Sequence, residues 1–259
     1  MAKAKSASNP FDNFTPRQRV EVAQKRISIL IDNILHWLLL RESNNIAIFS
    51  NTLSKQIPRS NAATAFNVLT DSLYRFEIIR LCTFWDKASK DRISIPTIVA
   101  LLDNAETAEI VGENAYRSAS DPGHWMGGSN DVDRAIQRML KENALKRAET
   151  ERIEAISNLT EVIKEAVDLA SNTKIIGLRS FRDNYLAHSL VPNGSEKAIE
   201  VVRYGDENDV FEDTKRLVLR LHQIVNLTDF MFEDSRKMAR RNAEELWNNC
   251  TFSIPARSR

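Results

Sequence analysis

The stretch LRSFRDNYLAHS, residues 178–189, has the pattern of an amphipathic helix that ends in a histidine. Its apolar positions recur three or four residues apart and form one stripe together with the imidazole: Leu178, Phe181, Tyr185 and His188. Arg182 and His188 are six residues apart, which places them about 120° from each other around an α-helix. They therefore flank the stripe, and one helix does not bring them to one point. Two copies of this helix that cross at the stripe would bring His188 of one chain near Arg182 of the other.

The same residues carry a family resemblance. Arg-Asp-x-x-x-x-His, from Arg182 to His188, resembles the R-x(4–6)-H motif of the HEPN superfamily, with the polar residue after the arginine that its ribonuclease members prefer. The sequence FRDNYLAHS is most similar to the abortive-infection AbiU-like branch. YRFEIIRL (residues 74–81) resembles the first core helix of that branch, and YGD (residues 204–206) resembles its last element. The resemblance covers roughly residues 60–235.

This resemblance implies a helical domain of prokaryotic defence, toxin–antitoxin or RNA-processing systems. It implies a metal-independent endoribonuclease for single-stranded RNA, which acts as a homodimer and leaves a 2′,3′-cyclic phosphate. A cognate antitoxin or another defence component is then an expected partner. The implied catalytic residues are Arg182, Asp183 and His188. The implied RNA-binding or supporting residues are Arg179, Asn184 and Tyr185.

The residue types fit that chemistry. The imidazole of His188 ordinarily titrates near neutral pH, which suits proton transfer. The guanidinium of Arg182 offers a planar fork of donors to phosphate oxygens. Asp183 is placed to orient either group. The alternative is a non-catalytic helical interaction module, such as a subunit of a defence system, in which the same residues form a buried polar network.

Composition limits the classes of protein to consider. The chain has 259 residues, 42% of them hydrophobic, and only 7 Gly and 7 Pro, which favours long uninterrupted helices around a real core. The net charge of +1 argues against avid non-specific binding to nucleic acid, so contact with RNA requires a local patch. Two distant cysteines, Cys82 and Cys250, give no zinc spacing, and we expect neither a metal nor a cofactor. Without a secretory signal or an apolar run that spans a bilayer, we expect a cytoplasmic protein.

Apolar spacing predicts an all-α fold of four to five long helices, with short extra helices and an N-terminal helix. The resemblance implies that these helices form a HEPN-like bundle. The predicted helices are 15–42, 61–89, 94–104, 106–117, 131–171, 174–190 and 210–248. The predicted N-caps include Asn61, Ser94 and Thr173, and Ser43, Asn44 and Asn45 are expected to end the first helix. We expect a loose arm at 1–14, a single domain at 15–250 and a tail at 251–259.

The sequence also gives predictions for Glu77 and for three segments. Glu77 is assigned to the polar face of its helix, together with the neighbouring arginines. The Gly-rich segment 121–129 is predicted to be a loop, and 198–204 is an isolated β-like run. The basic run 236–241 suits either nucleic acid or the last turns of a helix, and the sequence leaves both open.

Overall fold

The structure is a computed structural model. It describes residues 9–57, 59–121, 131–186, 203 and 205–254, except for the side chain of Tyr185. Of these described residues 82% are helical, and none lies in a strand. The predicted all-α class is therefore confirmed.

The described part of the chain contains nine α-helices and one π-helical turn. Their bounds are α1 Pro16–Phe49, α2 Asn51–Gln56, α3 Asn61–Thr83, α4 Ile95–Leu102, α5 Ala105–Ser120, α6 Asp131–Ala170, α7 Thr173–Phe181, the π-helical turn Arg182–Leu186, α8 Asp206–Asn226 and α9 Phe232–Asn249. Short polar side chains cap several of them. Ser94 caps α4 as predicted, and its hydroxyl accepts from the backbone N–H of Thr97. Ser60, rather than the predicted Asn61, caps α3.

The described residues fall into two compact units, and the division lies within α1 and within α8. The first unit contains Met1–Ile29, Asp86–Ala170 and Arg216–Phe230. In it α5 and α4 pack against α6. Gly112 of α5 allows the closest approach, because a Cβ at this position would lie 2.8 Å from two side-chain atoms of Ile156 on α6.

Part of the predicted N-terminal arm is packed in this first unit. Phe11 is fully buried, and the Asn9 side chain donates to the carbonyl of Ala100 at 2.7 Å. Within the arm predicted over 1–14, Asn9 and Phe11 thus contact the rest of the unit. Residues 1–8 lie outside the described part.

The second unit contains Leu30–Trp85, Ser171–Lys215 and Met231–Arg259. Trp37 of α1 stacks on Phe211 of α8, with ring centroids 3.7 Å apart and planes at 17°. Trp85 donates its indole N–H to the hydroxyl of Thr214 at 2.9 Å. In this unit α3 packs against both α7 and the π-helical turn. The unit therefore holds all described residues of the predicted site.

The first helix is longer than predicted. Ser43, Asn44 and Asn45 were expected to end it, yet α1 continues to Phe49. Two of these side chains form tertiary hydrogen bonds instead of breaking the helix. Ser43 accepts from the indole N–H of Trp247 at 3.0 Å, and Asn44 donates to the Glu77 carboxylate at 2.9 Å. Tertiary contacts thus outweigh the weak helix propensity of serine and asparagine.

The single C-terminal helix predicted over 210–248 is two helices, α8 and α9. Leu227 ends α8 in the left-handed region, with φ of 55°. Side chains hold the break: His222 Nδ1 donates to the Thr228 carbonyl at 2.8 Å, and Asn226 donates to the carbonyl of Gln24 at 3.2 Å. His222 thus has a structural role at the end of α8.

Two predicted segments fall largely outside the described residues. Of the Gly-rich segment 121–129 only Asp121 is described, and of the β-like run 198–204 only Arg203. Among the described helices, none combines the length and the hydropathy that crossing a bilayer requires.

Candidate functional site

The helix that carries the motif, α7, begins at a side-chain cap. Asn172 accepts from the backbone N–H of Lys174 at 2.8 Å, a role that the sequence assigned to Thr173. Ile175 and Leu178 are buried and fix the orientation of the helix. α3 contacts both this helix and the turn that follows it, so one helix positions both.

An ionic contact fastens the start of α7 to the first turn of α8. Lys174 Nζ pairs with the carboxylates of Asp209 and, at 3.5 Å, Asp206. The hydrogen bond to Asp209 is the largest cause that raises the pKa of Lys174 above its ordinary value. The ammonium at this position is therefore already matched by carboxylates.

The motif itself does not continue as an α-helix. Residues 174–190 were predicted as one helix, but α7 ends at Phe181 and Arg182–Leu186 form a π-helical turn. Arg182 still belongs to the α-helical frame, because its N–H donates to the carbonyls of Leu178 and Arg179. The angle of 120° assumed a regular α-helix, so it does not hold beyond Arg182. π-helical turns are rare and occur frequently at functional sites.

Arg182 and Asp183 come together at the first position of this turn. Arg182 Nε donates to Asp183 Oδ1 at 2.8 Å, a charge-assisted hydrogen bond. The Arg182 side chain is 15% exposed, whereas that of Asp183 is 55% exposed. The carboxylate therefore fixes a guanidinium that is mostly enclosed by the protein.

Of the supporting residues, Asn184 is held by its own helix. Its amide donates to Ser180 Oγ at 3.1 Å. The backbone of Tyr185 lies in the π-helical turn, but its side chain is outside the described residues, as is all of His188. The structure thus places Arg182, Asp183 and Asn184 in one turn, and the proximity of His188 to Arg182 stays a prediction.

Arg179 lies one turn before Arg182 on α7. Its Nε is buried and has no hydrogen-bond partner among the described residues. Arginine and aspartate within the motif thus form a bonded pair, while a second arginine beside them is left with an unmatched donor.

The sequence missed a buried polar cluster in the same unit. Glu77, which was assigned to the polar face of α3, is 1% exposed. Its carboxylate accepts from Arg41 Nη1 at 2.7 Å and from the Asn44 amide at 2.9 Å. The other terminal nitrogen of Arg41 lies 3.6 Å from the carboxylate of Glu207, which is also buried. We refer to Arg41, Asn44, Glu77 and Glu207 as the buried cluster.

Burial is the largest cause that raises the pKa of Glu77 above its ordinary value, and Arg41 opposes it. The sequence contained one signal of this arrangement. Arg41 and Asn44 follow Trp37 at four and seven residues, on the core side of α1, where polar residues need partners.

The basic run 236–241 lies within α9, which continues to Asn249, and not in its last turns as one prediction had it. Carboxylates accompany several of its charges. Arg236 pairs with Glu42 at 2.9 Å, and Arg240 pairs with Glu244 at 2.9 Å. The run is therefore a partly neutralised helix face.

No group of three or more histidine, cysteine, aspartate or glutamate side chains that could hold a metal ion is present within the described ranges.

Comparison with known proteins assigns the family. Neither a curated protein nor a solved structure matches the chain significantly. The model of the HEPN family AbiU2 matches residues 17–246, a range that includes most of the described residues and the Arg182–His188 motif. Together with the all-α fold, this match shows that the chain belongs to the AbiU2 family of HEPN proteins.

Proposed function

We propose that this protein is a metal-independent endoribonuclease that cleaves single-stranded RNA in bacterial defence, as an abortive-infection or toxin component. One observation carries the proposal: Arg182, fixed by Asp183 at 2.8 Å, stands at the start of a π-helical turn inside the HEPN motif. A guanidinium held in this way is preorganised to stabilise negative charge that develops on a phosphate.

The proposed reaction uses the nucleophile that RNA itself carries. The 2′-hydroxyl loses its proton to a base and its oxygen bonds to the adjacent phosphorus, while the bond from phosphorus to the 5′-oxygen breaks. The departing 5′-oxygen takes a proton, and a 2′,3′-cyclic phosphate remains. His188 transfers protons, and Arg182 stabilises the charge on the pentacoordinate phosphate.

The remaining site residues support this chemistry. Asp183 orients the guanidinium of Arg182 through its bond to Nε. Asn184 stabilises the turn through Ser180, at 3.1 Å. In this proposal Tyr185 belongs to the subunit interface, and Arg179 binds RNA. The protein acts in the cytoplasm, where an antitoxin or another defence component restrains it.

The proposal includes a homodimer that brings His188 of one chain to Arg182 of its partner. An apolar stripe on α3 supports it, because α3 packs on the motif helix. Leu69 and Phe76 are 49% and 44% exposed, and their separation of seven positions puts both side chains on one face. Burial of this stripe between two copies would stabilise a two-fold contact beside the motif. Sedimentation velocity on Phe76→Asp tests it, with loss of the dimer expected.

Cleavage of labelled single-stranded RNA in EDTA tests the activity. His188→Ala is expected to lower cleavage by roughly 10²–10⁴-fold, and Arg182→Ala by about 10²–10³-fold. His36→Ala is the matched control, because His36 is an exposed histidine on α1. Product ends should be 2′,3′-cyclic phosphates, and DNA of the same sequence should stay intact.

A folded wild type that never cleaves RNA would overturn the proposal. Equal loss of activity in His36→Ala and His188→Ala would do the same, since it would show that histidine replacement acts through the fold. Melting temperatures of all variants separate the two causes.

A second candidate, a non-catalytic interaction module, is favoured by the start of α6. The first buried residue of this helix is Ala144, so its opening turns expose apolar side chains such as Val132 and Met139. Such a helix presents an amphipathic surface to a partner. If RNA remains uncut while Met139→Asp abolishes capture of a defence component, the interaction module is the function.

A further inference from the structure

The three cations of the motif helix and its π-helical turn differ in their partners. Lys174 pairs with Asp206 and Asp209, and Arg182 pairs with Asp183. No carboxylate of the described residues pairs with Arg179. Of these three cations, Arg179 is therefore the one that forms no ion pair with a described carboxylate.

The side chain of Arg179 is also partly buried. Arg179 Nε is buried without a hydrogen-bond partner among the described residues, while the residue as a whole stays partly exposed. A buried charged donor without an acceptor is unfavourable, and a bound anion is one of the few explanations for keeping it.

The backbone sets the distance between Arg179 and Arg182. The N–H of Arg182 donates to the Arg179 carbonyl, so the two residues keep helical geometry across this step. Residues three apart on a helix are surface neighbours, with Cβ atoms about 5–6 Å apart. The two long side chains therefore reach anionic groups that follow each other closely along one chain.

We propose that Arg179 binds the phosphate next to the scissile one, so that the substrate is an RNA chain read through two consecutive phosphates. This rests on the proposed function, in which Arg182 binds the scissile phosphate. The site then discriminates between a single phosphodiester and a longer strand. Arg179 determines specificity for chain length and takes no part in proton transfer.

Binding is measured apart from cleavage with a fluorescent RNA oligonucleotide that carries 2′-O-methyl groups and cannot be cut. For a single strand, the slope of log K against log salt changes by about 0.7 for each phosphate neutralised. Arg179→Gln is expected to reduce the slope by about 0.7, and Arg179→Lys to restore most of it. Arg117→Gln is the matched control, because Arg117 is exposed and pairs with Glu113 on α5.

Cleavage gives a second readout that a structural role would not move. Arg179→Gln should raise the KM for a trinucleotide with two phosphates several-fold and leave its kcat near the wild-type value. For a dinucleoside monophosphate, which has only one phosphate, variant and wild type should have the same KM.

The outcomes separate the two proposals. A slope unchanged in Arg179→Gln, or a KM raised equally for both substrates, overturns the role of Arg179. If the slope falls as expected but no RNA is ever cleaved, Arg179 binds the strand and the nuclease proposal fails. If Arg179→Gln does not fold, Arg179→Met decides, because it keeps the aliphatic stem, removes the charge and should lower the slope only if that charge binds phosphate.

Discussion

Arg41 Nη1 lies 2.7 Å from the Glu77 carboxylate, and both side chains are enclosed within one helical unit. Arg41 also faces the buried Glu207 at 3.6 Å. One guanidinium thus pairs with two buried carboxylates, and it links α1 to α3 and α8. Removal of the cation leaves two buried negative charges facing each other, so Arg41 controls the stability of the buried cluster.

We expect Arg41→Met to lower the free energy of unfolding by about 3–5 kcal/mol, the usual effect of removing one partner of a buried ion pair. Adding Glu77→Gln should recover part of this loss, because one of the stranded charges is then gone. Urea unfolding of the two single variants and the double variant measures the coupling.

Arg75→Met is the matched control, since Arg75 and Asp71 form an exposed pair on α3. It should cost at most about 1 kcal/mol. Additive effects of Arg41→Met and Glu77→Gln would contradict a direct interaction between the two side chains.

The raised pKa of Glu77 predicts a dependence of stability on pH. The folded protein holds this proton more tightly than the unfolded chain, whose carboxyl has the ordinary pKa of 4.5. Stability from this group is therefore complete below pH 4.5 and is lost as the pH rises through the raised pKa. The groups that face Glu77 are Arg41, Asn44 and Glu207.

Glu77→Gln removes this titration. The difference in unfolding free energy between the variant and wild type should shift in favour of the variant as the pH rises above 4.5. Urea unfolding at a series of pH values measures it, with the half-exposed Glu113→Gln as control. Parallel pH profiles for wild type and Glu77→Gln would show that the Glu77 proton does not couple to folding.

The contact between α5 and α6 depends on the absence of a side chain at Gly112. Gly112→Val should destabilise the protein by about 1–3 kcal/mol, since Ile156 has to move. Ser118→Val, at an exposed position of the same helix, should change stability little. Thermal unfolding compares the two, and equal effects would mean that helix propensity, not contact with Ile156, decides the result.

The π-helical turn should exchange its amide hydrogens faster than α7. Its hydrogen bonds belong to a rare geometry, whereas Ile175 and Leu178 anchor α7 in the core. Hydrogen exchange followed by NMR resolves both segments within one sample. Equal protection of 182–186 and 175–179 would indicate that the turn opens only together with the whole unit.

Replacement of Asp183 should give a graded loss of RNA cleavage. Asp183→Asn keeps an oxygen that accepts from Arg182 Nε and should cost less than Asp183→Ala, which keeps none. Single-turnover rates with saturating enzyme measure the ratio. If Asp183→Asn is as impaired as Asp183→Ala, the negative charge, and not the orientation of Arg182, is what the reaction requires.

Local signals predicted much of the fold. Ser94 before Ile95 and Pro96 is a complete start signal for a helix, and α4 begins there. The apolar spacing of 131–171 likewise matches α6 closely. These elements are determined by residues near each other in sequence, so a single sequence contains the required information.

Other features depend on distant residues. Nothing beside Glu77 in the sequence shows that Arg41 and Asn44 surround it, because those partners lie on another helix. The break after Asn226 contains neither glycine nor proline, and Leu227 takes the left-handed conformation that glycine usually adopts. Such positions become apparent only when the packing is known.

The motif shows the same limit. Arg182, Asp183 and Asn184 were identified from the resemblance of residues 182–188 to the HEPN motif, and the structure places them in one turn. The π-helical geometry of that turn was not predicted. Apolar spacing in so short a segment does not distinguish α-helical hydrogen bonds, which join residues four apart, from π-helical ones, which join residues five apart.

The π-helical turn has an evolutionary consequence. A motif of the form R-x(4–6)-H tolerates insertion and deletion, and on a regular α-helix each added residue would rotate the histidine by about 100° around the axis. A turn that closes over five residues takes up one more residue than an α-helical turn. A residue gained or lost within 182–186 can therefore be accommodated when the turn changes between π-helical and α-helical hydrogen bonding. Length variation is accommodated inside the helix, while the arginine at its start keeps its α-helical anchor on α7.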